Sequence, residues 1–356
     1  MKQTTTGLLV TMAAAVLGGS CFSVLHAPIP WLLGPMTAVL LASRQKRIVL
    51  RWPGQLRDAG MLLVGYSIGL SFTREAAVHI VYQLPSILLT TVTLLCFSAL
   101  LALGISKWTG ISYPTILTGS IPGGLSQMVA LAEEIKGIDV TVVAFLQITR
   151  VVIILFSVPL LIFSPLFAGH ASQSTAPLPL HNGATLGIGI LFATACLIGA
   201  MLAVRVKLPT AFLTGPLFAA AILSIAGLQG PFLPAPLLNV SQLLIGTYVG
   251  LLLKPEQLQH KAKMLLLATI SSLTLILFSL GLSLLVFHLY HVSAGTSFLS
   301  TAPGGMDQMG LIAHEIHADL STVTSYQLFR LFFIYFAVPP LLRWGFRRYQ
   351  RTKEAA

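Results

Sequence analysis

The sequence predicts an all-α polytopic membrane protein built from two inverted repeats, with about ten transmembrane helices and two re-entrant, broken segments. Three observations carry this reading: an apolar composition, an internal duplication, and an unequal distribution of basic residues between the two copies. Of 356 residues, 55% are hydrophobic and 9% charged, where a soluble domain carries roughly 25% charged residues. The mean hydropathy is +0.87. A soluble multi-domain enzyme is excluded by this balance, and the lipid bilayer is the expected partner of most of the surface.

The duplication appears at a spacing of 181 positions. Pro28, Gly34 and Pro35 match Pro209, Gly215 and Pro216, and Gly65, Gly69 and Glu75 match Gly246, Gly250 and Glu256. Pro122-Gly123-Gly124 matches Pro303-Gly304-Gly305, Gln127-Met128 matches Gln308-Met309, and Glu134-Ile135 matches Glu315-Ile316. One residue is then lost, and at a spacing of 180 Asp139, Gln147, Arg150 and Pro159 match Asp319, Gln327, Arg330 and Pro339. Leu and Val align by chance in such a composition, but Gly, Pro, Gln and Arg do not. The chain therefore divides into a first repeat over 1–168, a linker over 169–184, a second repeat over 185–345 and a basic tail over 346–356.

Each repeat holds six apolar stretches, at 7–25, 29–43, 59–72, 84–106, 112–134 and 140–168 in the first and at 185–204, 209–224, 237–253, 264–289, 293–314 and 320–342 in the second. The first, behind Lys2, is read as a retained helix rather than an export signal, because the second repeat opens on a similar run far from the N-terminus. The loop from Ser43 to Arg57 holds five basic residues, and its counterpart from Ser224 to Asn239 holds none. Basic residues collect on the cytoplasmic side, so the two copies face opposite ways. With both termini cytoplasmic, the loop charges agree throughout if the fifth stretch of each repeat enters and leaves on one side; the alternative, which the loop charges disfavour, is that each broken segment spans fully, as in crossed-helix antiporters, with another short stretch failing to cross. The one-sided arrangement puts 18 of the 21 Lys and Arg residues inside, Arg74 outside, and Arg150 and Arg330 within the bilayer. The net charge of +11 is thus an orientation signal rather than a nucleic-acid surface, and no nucleic-acid partner is expected.

The re-entrant reading has a physical cause. Proline lacks an N–H and paired glycines accept unusual dihedrals, so both Pro-Gly-Gly triplets interrupt a helix at mid-segment. About ten residues on either side reach only half of a roughly 30 Å apolar core. Half-helix ends expose N–H and C=O groups that hold ions and anionic groups. The expected substrate or ion site is therefore Pro122, Gly123, Gly124 and Gln127 with Pro303, Gly304, Gly305 and Gln308. Packed turns without a ligand are the plain structural alternative. Arg150 follows Asp139 by eleven residues, about 16 Å along a helix, with Gln147 one turn earlier on the same face; Gln327 and Arg330 repeat the arrangement. An intramembrane arginine needs a partner, and the candidates are an anionic substrate, the carbonyls of the broken segments, and Asp307. Asp307 stands where the first copy has Ser126; it is a candidate carrier of a coupling H⁺ or Na⁺, or a fixed counter-ion of Arg330. Asp139 and Asp319 read as helix caps, and Glu134 and Glu315 as solvated ends.

Other chemistry finds little support. Cys21, Cys96 and Cys196 lie in apolar runs with neither metal nor disulfide spacing. His288-x-x-His291 and His314-x-x-His317 have no histidine counterparts in the other copy. Phosphate-loop, dinucleotide and nucleophile motifs are missing from the sequence. No catalytic residue, metal or cofactor is expected, and the chain is not read as an enzyme.

The two Pro-Gly-Gly-x-x-Gln-Met segments, each followed by Glu-Ile and then Gln-x-x-Arg, resemble the membrane AbrB family of bacteria over nearly the whole chain, including its internal duplication. That family is unrelated in sequence to the small DNA-binding transition-state regulator of the same name; its members have been labelled ammonia monooxygenases, regulators of gene expression and, more recently, transporters. The resemblance implies an inner-membrane location. The inverted design is similar to anion-transporter and cation/proton antiporter folds, and its tips to elevator carriers of the citrate type. The expectation is a secondary transporter of a small organic anion working by alternating access, coupled to H⁺ or Na⁺, and a homo-oligomer as elevator carriers commonly are. The alternative is a membrane regulatory or sensory protein that binds a ligand without moving it.

Overall fold

The computed structural model describes residues 2–44, 50–135, 137–164, 186–252 and 261–354. The linker at 169–184 lies outside the described residues. Among these residues the chain is all helical, with no strand. The first repeat contributes α1 (Lys2–Val24), α2 (Pro30–Ser43), α3 (Gly54–Gly69), α4 (Arg74–Thr109), α5 (Tyr113–Ser120), α6 (Leu125–Glu134) and α7 (Val140–Ile162). The second contributes α8 (Leu186–Arg205), α9 (Ala211–Ile225), α10 (Ala235–Leu252), α11 (Lys261–Tyr290), α12 (Ala294–Thr301), α13 (Met306–Glu315) and α14 (Leu320–Phe336), followed by α15 (Val338–Glu354).

Among the described residues seven helical spans are long and apolar enough to cross a membrane by length and composition: Thr6–Val24, Arg74–Thr109, Val140–Ile162, Gly187–Arg205, Ala235–Leu252, Met264–Tyr290 and Leu320–Phe346. Pro30–Ser43 and Ala211–Ile225 are apolar but shorter, and α3 has 16 residues. Large apolar side chains such as Leu17, Leu100, Met201 and Leu277 are exposed, as on helices that face lipid tails. The fourth helix begins ten residues before the apolar stretch at 84, at Arg74, because Thr73 caps it by accepting a hydrogen bond from the Ala76 N–H at 3.2 Å and Glu75 sits in its first turn.

Equivalent positions of the two repeats make equivalent contacts. Gly65 of α3 lies against the Leu213 carbonyl of α9, and Gly246 of α10 against the Leu32 carbonyl of α2. One helical turn on, a Cβ at Gly69 would stand 2.6 Å from the Leu217 carbonyl, and one at Gly250 2.6 Å from that of Met36. Glycine is what lets these backbones touch. Left-handed residues pair in the same way: His26 with Lys207, Ile29 with Thr210, Gly110 with His291 and Gly137 with His317. A β-branched residue at φ near 47° is a strained conformation of order 1–3 kcal/mol; Ile29 and Thr210 both hold it at the start of α2 and α9.

The helices fall into two packed groups. α1, α2 and α3 pack with α8, α9 and α10, and α4 to α7 pack with α11 to α14. In the second group Phe97 of α4 stacks on Phe278 of α11 with centroids 3.8 Å apart, and Ser86 of α4 hydrogen-bonds Tyr326 of α14 at 2.6 Å. The groups meet mainly where α3 packs on α13 and α14. There Ile68 fills the space beside Gly310, and the Ser321 hydroxyl donates to the Ser71 carbonyl at 2.8 Å. On the corresponding side, between α10 and α6, lies a cavity.

Candidate functional site

Both fifth stretches break at their Pro-Gly-Gly triplets, giving half-helices α5 and α6 in one and α12 and α13 in the other. Their entry and exit lie together. The Asp139 N–H donates to Thr115 Oγ1 and the Asp319 N–H to Thr296 Oγ1, each at 3.1 Å. Asp139 also caps α7 through the Thr141 and Val142 N–H groups, and Asp319 caps α14 through those of Ser321 and Thr322.

The last carbonyls of α5 have no helical partner because Pro122 ends the ladder. Arg150 supplies the donors: Nη1 bonds the Ile121 carbonyl at 2.8 Å and Ser120 at 3.4 Å, and Nη2 bonds Gly123 at 3.4 Å and Gln147 Oε1 at 2.6 Å. Gln147 Nε2 adds bonds to Thr118 and Ile121 at 3.0 and 2.9 Å. The second repeat copies the pattern. Arg330 reaches Thr301, Ala302, Gly304 and Gln327 Oε1, and Gln327 Nε2 reaches Leu299 and Ala302. Each guanidinium thus sits at the electronegative C-terminal end of a half-helix. Both arginines thus engage the carbonyls of their own broken segments.

Arg150 and Arg330 are 4% and 5% exposed, and among the described residues neither has a carboxylate within ion-pair distance. The ion pairs among the described residues are Arg57 with Asp58 at 2.7 Å and Arg343 with Glu134 at 2.6 Å. Asp307 is therefore not a direct salt-bridge partner of Arg330, and Glu134 is a paired rather than a merely solvated end. Arg150 Nε is buried without a hydrogen-bond partner.

The N-terminal ends of the second half-helices differ. At α13 the Gly305 N–H donates to Gln308 Oε1 at 3.1 Å, and Asp307 occupies the first turn. A Cβ on Gly305 would lie 2.6 Å from Asp307 Oδ1, so the carboxylate stands over this end. At α6 the cap is Gly124, with no side-chain bond, and Gln127 turns away to donate to the Tyr335 carbonyl at 3.1 Å.

Both tips face one cavity of about 790 Å³ between the two helix groups. Every residue of the expected substrate or ion site lines it except Gln147, which stays behind Arg150. Its walls are largely apolar, with Met61, Leu213, Ile245 and Val249, and its lining extends to Arg57, Glu134 and Arg343. Arg57, read from sequence only as a loop charge, lies over the Tyr248 ring at 4.6 Å. Tyr248, Tyr335 and the strained Thr210 also line the cavity; none carries a local sequence signal, because each is brought in by long-range packing.

Comparison with known proteins covers most of the chain. A family model described as "Transition state regulatory protein AbrB" matches residues 31–345. The chain is 26% identical to "Putative regulator AbrB" of Escherichia coli (strain K12) over 329 residues, covering 90% of this chain and 91% of that protein. It is 25% identical to "Uncharacterized protein YhjN" of Bacillus subtilis (strain 168) over 359 residues, covering 93% and 91%.

Proposed function

The chain belongs to the AbrB family, and from that premise we propose that it is a secondary transporter of a small organic anion working by alternating access across the bacterial inner membrane. The observation that carries the proposal is the cavity in which two Pro-Gly-Gly tips, one from each repeat, meet above two buried arginines that have no carboxylate partner among the described residues. An arginine at mid-membrane costs about 2.5–3.5 kcal/mol on insertion scales. The carbonyls of its own hairpin offset part of this cost, but they leave its charge in place, and an anion completes the neutralisation.

The paired contacts of the two repeats support the inverted-repeat reading, with α2, α3 and α9 as short crossing helices and the two broken segments re-entrant. The division into two helix groups supports an elevator-type arrangement: α1–α3 with α8–α10 as the frame, and the hairpins with α4, α7, α11 and α14 as the moving body. On the charge-based topology Arg57, Glu134 and Arg343 are cytoplasmic, so the cavity is open inward and the contact of α3 with α13 closes the outer side. Asp307 is the proposed carrier of the coupling H⁺ or Na⁺. Both termini are cytoplasmic, no cofactor or nucleic acid takes part, and the working unit is a homo-oligomer.

Uptake of radiolabelled carboxylates into proteoliposomes tests the reading. The expected result is flux that is lost in Arg330→Ala and Pro303→Ala. A carboxylate that binds the purified protein but never crosses would favour a membrane sensory or regulatory protein, the class that the name of the Escherichia coli relative suggests. Cysteine labelling at Ser43 and Gln229 from opposite faces tests the inversion.

A further inference from the structure

We propose that one water molecule is bound behind Arg150, between the first hairpin and α11, where it accepts the Arg150 Nε–H and bridges it to serine hydroxyls of both repeats. The site is a second, small cavity, separate from the large one: Arg150 is the one residue that lines both. Its volume is about 10 Å³, the room that one water needs. Arg150 is 4% exposed and uses both Nη atoms on the carbonyls of its hairpin and on Gln147, which leaves Nε buried without a partner. A buried N–H of this kind calls for an ordered water or ion, and a guanidinium excludes a cation. Ser120 of α5 and Ser271 and Ser272 of α11 form the rest of the polar wall. Ser272 donates its own proton to the Ala268 carbonyl at 2.6 Å, so its oxygen is left to accept. The site thus offers the two to four polar partners that hold a buried water, where an apolar void of the same size stays dry.

The other repeat shows what makes this site. Gly119, Leu146 and Ala268 wall the cavity, and at the repeat spacings their counterparts are the larger Ser300, Tyr326 and Ile87. Tyr326 and Ile87 are packed together, 3% and 1% exposed, and the Tyr326 hydroxyl is bonded to Ser86 at 2.6 Å. Side chains fill there the space that stays open behind Arg150. The hydroxyls differ in the same sense. Thr301, the counterpart of Ser120, donates to the Ser279 carbonyl at 3.0 Å and accepts from Ser279 Oγ at 3.3 Å. Ser98, the counterpart of Ser279, has a buried Oγ with no partner, so Ser120 is not engaged in that way. Arg150 Nε is among the buried atoms without a partner and Arg330 Nε is not. The first hairpin is therefore joined to the opposite repeat through a water, and the second through direct packing. This holds whether or not the protein transports its ligand.

A crystal structure of the full-length wild-type protein, at a resolution that shows ordered solvent and from crystals grown in bromide, tests this. The expected result is a water peak about 2.7–3.2 Å from Arg150 Nε, in contact with Ser120 and Ser271, and none beside Arg330 Nε. A protein atom bonded to Arg150 Nε, no peak there, or an equal peak in the second repeat overturns the assignment. An anomalous bromide signal at the peak would mark an anion and overturns it as well. A pair of variants of the same shape reads the site in solution. Ala268→Val displaces the water and leaves Nε unpaired, whereas Ala268→Thr puts a hydroxyl oxygen in its place, so in detergent Ala268→Thr should melt at a higher temperature than Ala268→Val. A dry site favours the apolar side chain, and Ala268→Val melting at or above Ala268→Thr overturns the proposal. Should neither variant fold, the wild-type density decides.

Discussion

Gln127 Nε2 donates to the Tyr335 carbonyl at 3.1 Å, the oxygen whose helical partner would have been the N–H of residue 339. That residue is proline, so a side chain of one hairpin completes the backbone of the opposite repeat's last helix. Gln127→Leu should cost about 1 kcal/mol by leaving a partly buried carbonyl unpaired. In a Pro339→Ala background, where the helix satisfies Tyr335 itself, the same substitution should cost less. Denaturant melting of the four proteins in detergent measures the coupling, and additive effects would mean that the bond contributes nothing.

Arg330 and Gln327 act as one cap on the end of α12. Arg330→Lys keeps the charge but loses the fork that reaches Ala302, Gly304 and Gln327 together, and it should lower stability by roughly 2–4 kcal/mol. Gln327→Glu tests charge instead. It places a carboxylate against Arg330, offsets that guanidinium's charge, and should weaken carboxylate binding in a protein that still melts cooperatively. Retained binding in that variant would show that the arginine charge does not contribute to carboxylate recognition.

The two tips should respond differently to the smallest possible substitution. Gly305→Ala pushes a methyl group into the Asp307 carboxylate and the Gln308 amide, whereas Gly124→Ala makes only ordinary contact with Gln127 at 3.9 Å. Gly305→Ala is expected to lower the melting temperature of the ligand-free protein, with a cost of about 1–3 kcal/mol, and Gly124→Ala to change it little. Equal effects at the two positions would show that the hairpins are more alike than their N-terminal ends indicate.

Gly65 and Gly246 make the same helix–helix contact in the two repeats, each against a backbone carbonyl that cannot rotate away. Alanine at either should cost a similar amount, about 1–3 kcal/mol. Gly104→Ala and Gly281→Ala, where nothing lies within 4 Å of the new methyl group, should be neutral or stabilising by about 0.5–1 kcal/mol. A thermal-shift series over the four variants checks the interlocked packing of α2 with α10 and of α3 with α9.

Much of this architecture is legible in the sequence because its signals are local. Pro122-Gly123-Gly124 and Pro303-Gly304-Gly305 break their helices at the expected residues, and the spacing of Gln147 to Arg150 puts both side chains on one face toward the break. What is not legible depends on distant partners. Gln127 and Tyr335 lie 208 positions apart, and no local pattern announces that a glutamine will cap a proline-interrupted helix in the other repeat. Arg57 carries a loop charge by every sequence criterion, yet it reaches the cavity because α3 packs against α10 and presents it to Tyr248. The early start of α4 is an intermediate case: the Thr73 cap and Glu75 were readable, but Arg74, Glu75 and His79 interrupt the apolar pattern by which the span is recognised.

In alternating access one site is reached from both faces of the membrane in turn. The most direct measurement places a single cysteine at Leu125, at the start of α6 and in the cavity wall, in a protein whose Cys21, Cys96 and Cys196 have been replaced. It then compares modification by a membrane-impermeant thiol reagent in right-side-out and inside-out vesicles. Alternating access predicts modification in both orientations, slowed in both by a bound carboxylate. Modification from one face only, however long the exposure, would contradict it and leave a one-sided binding protein.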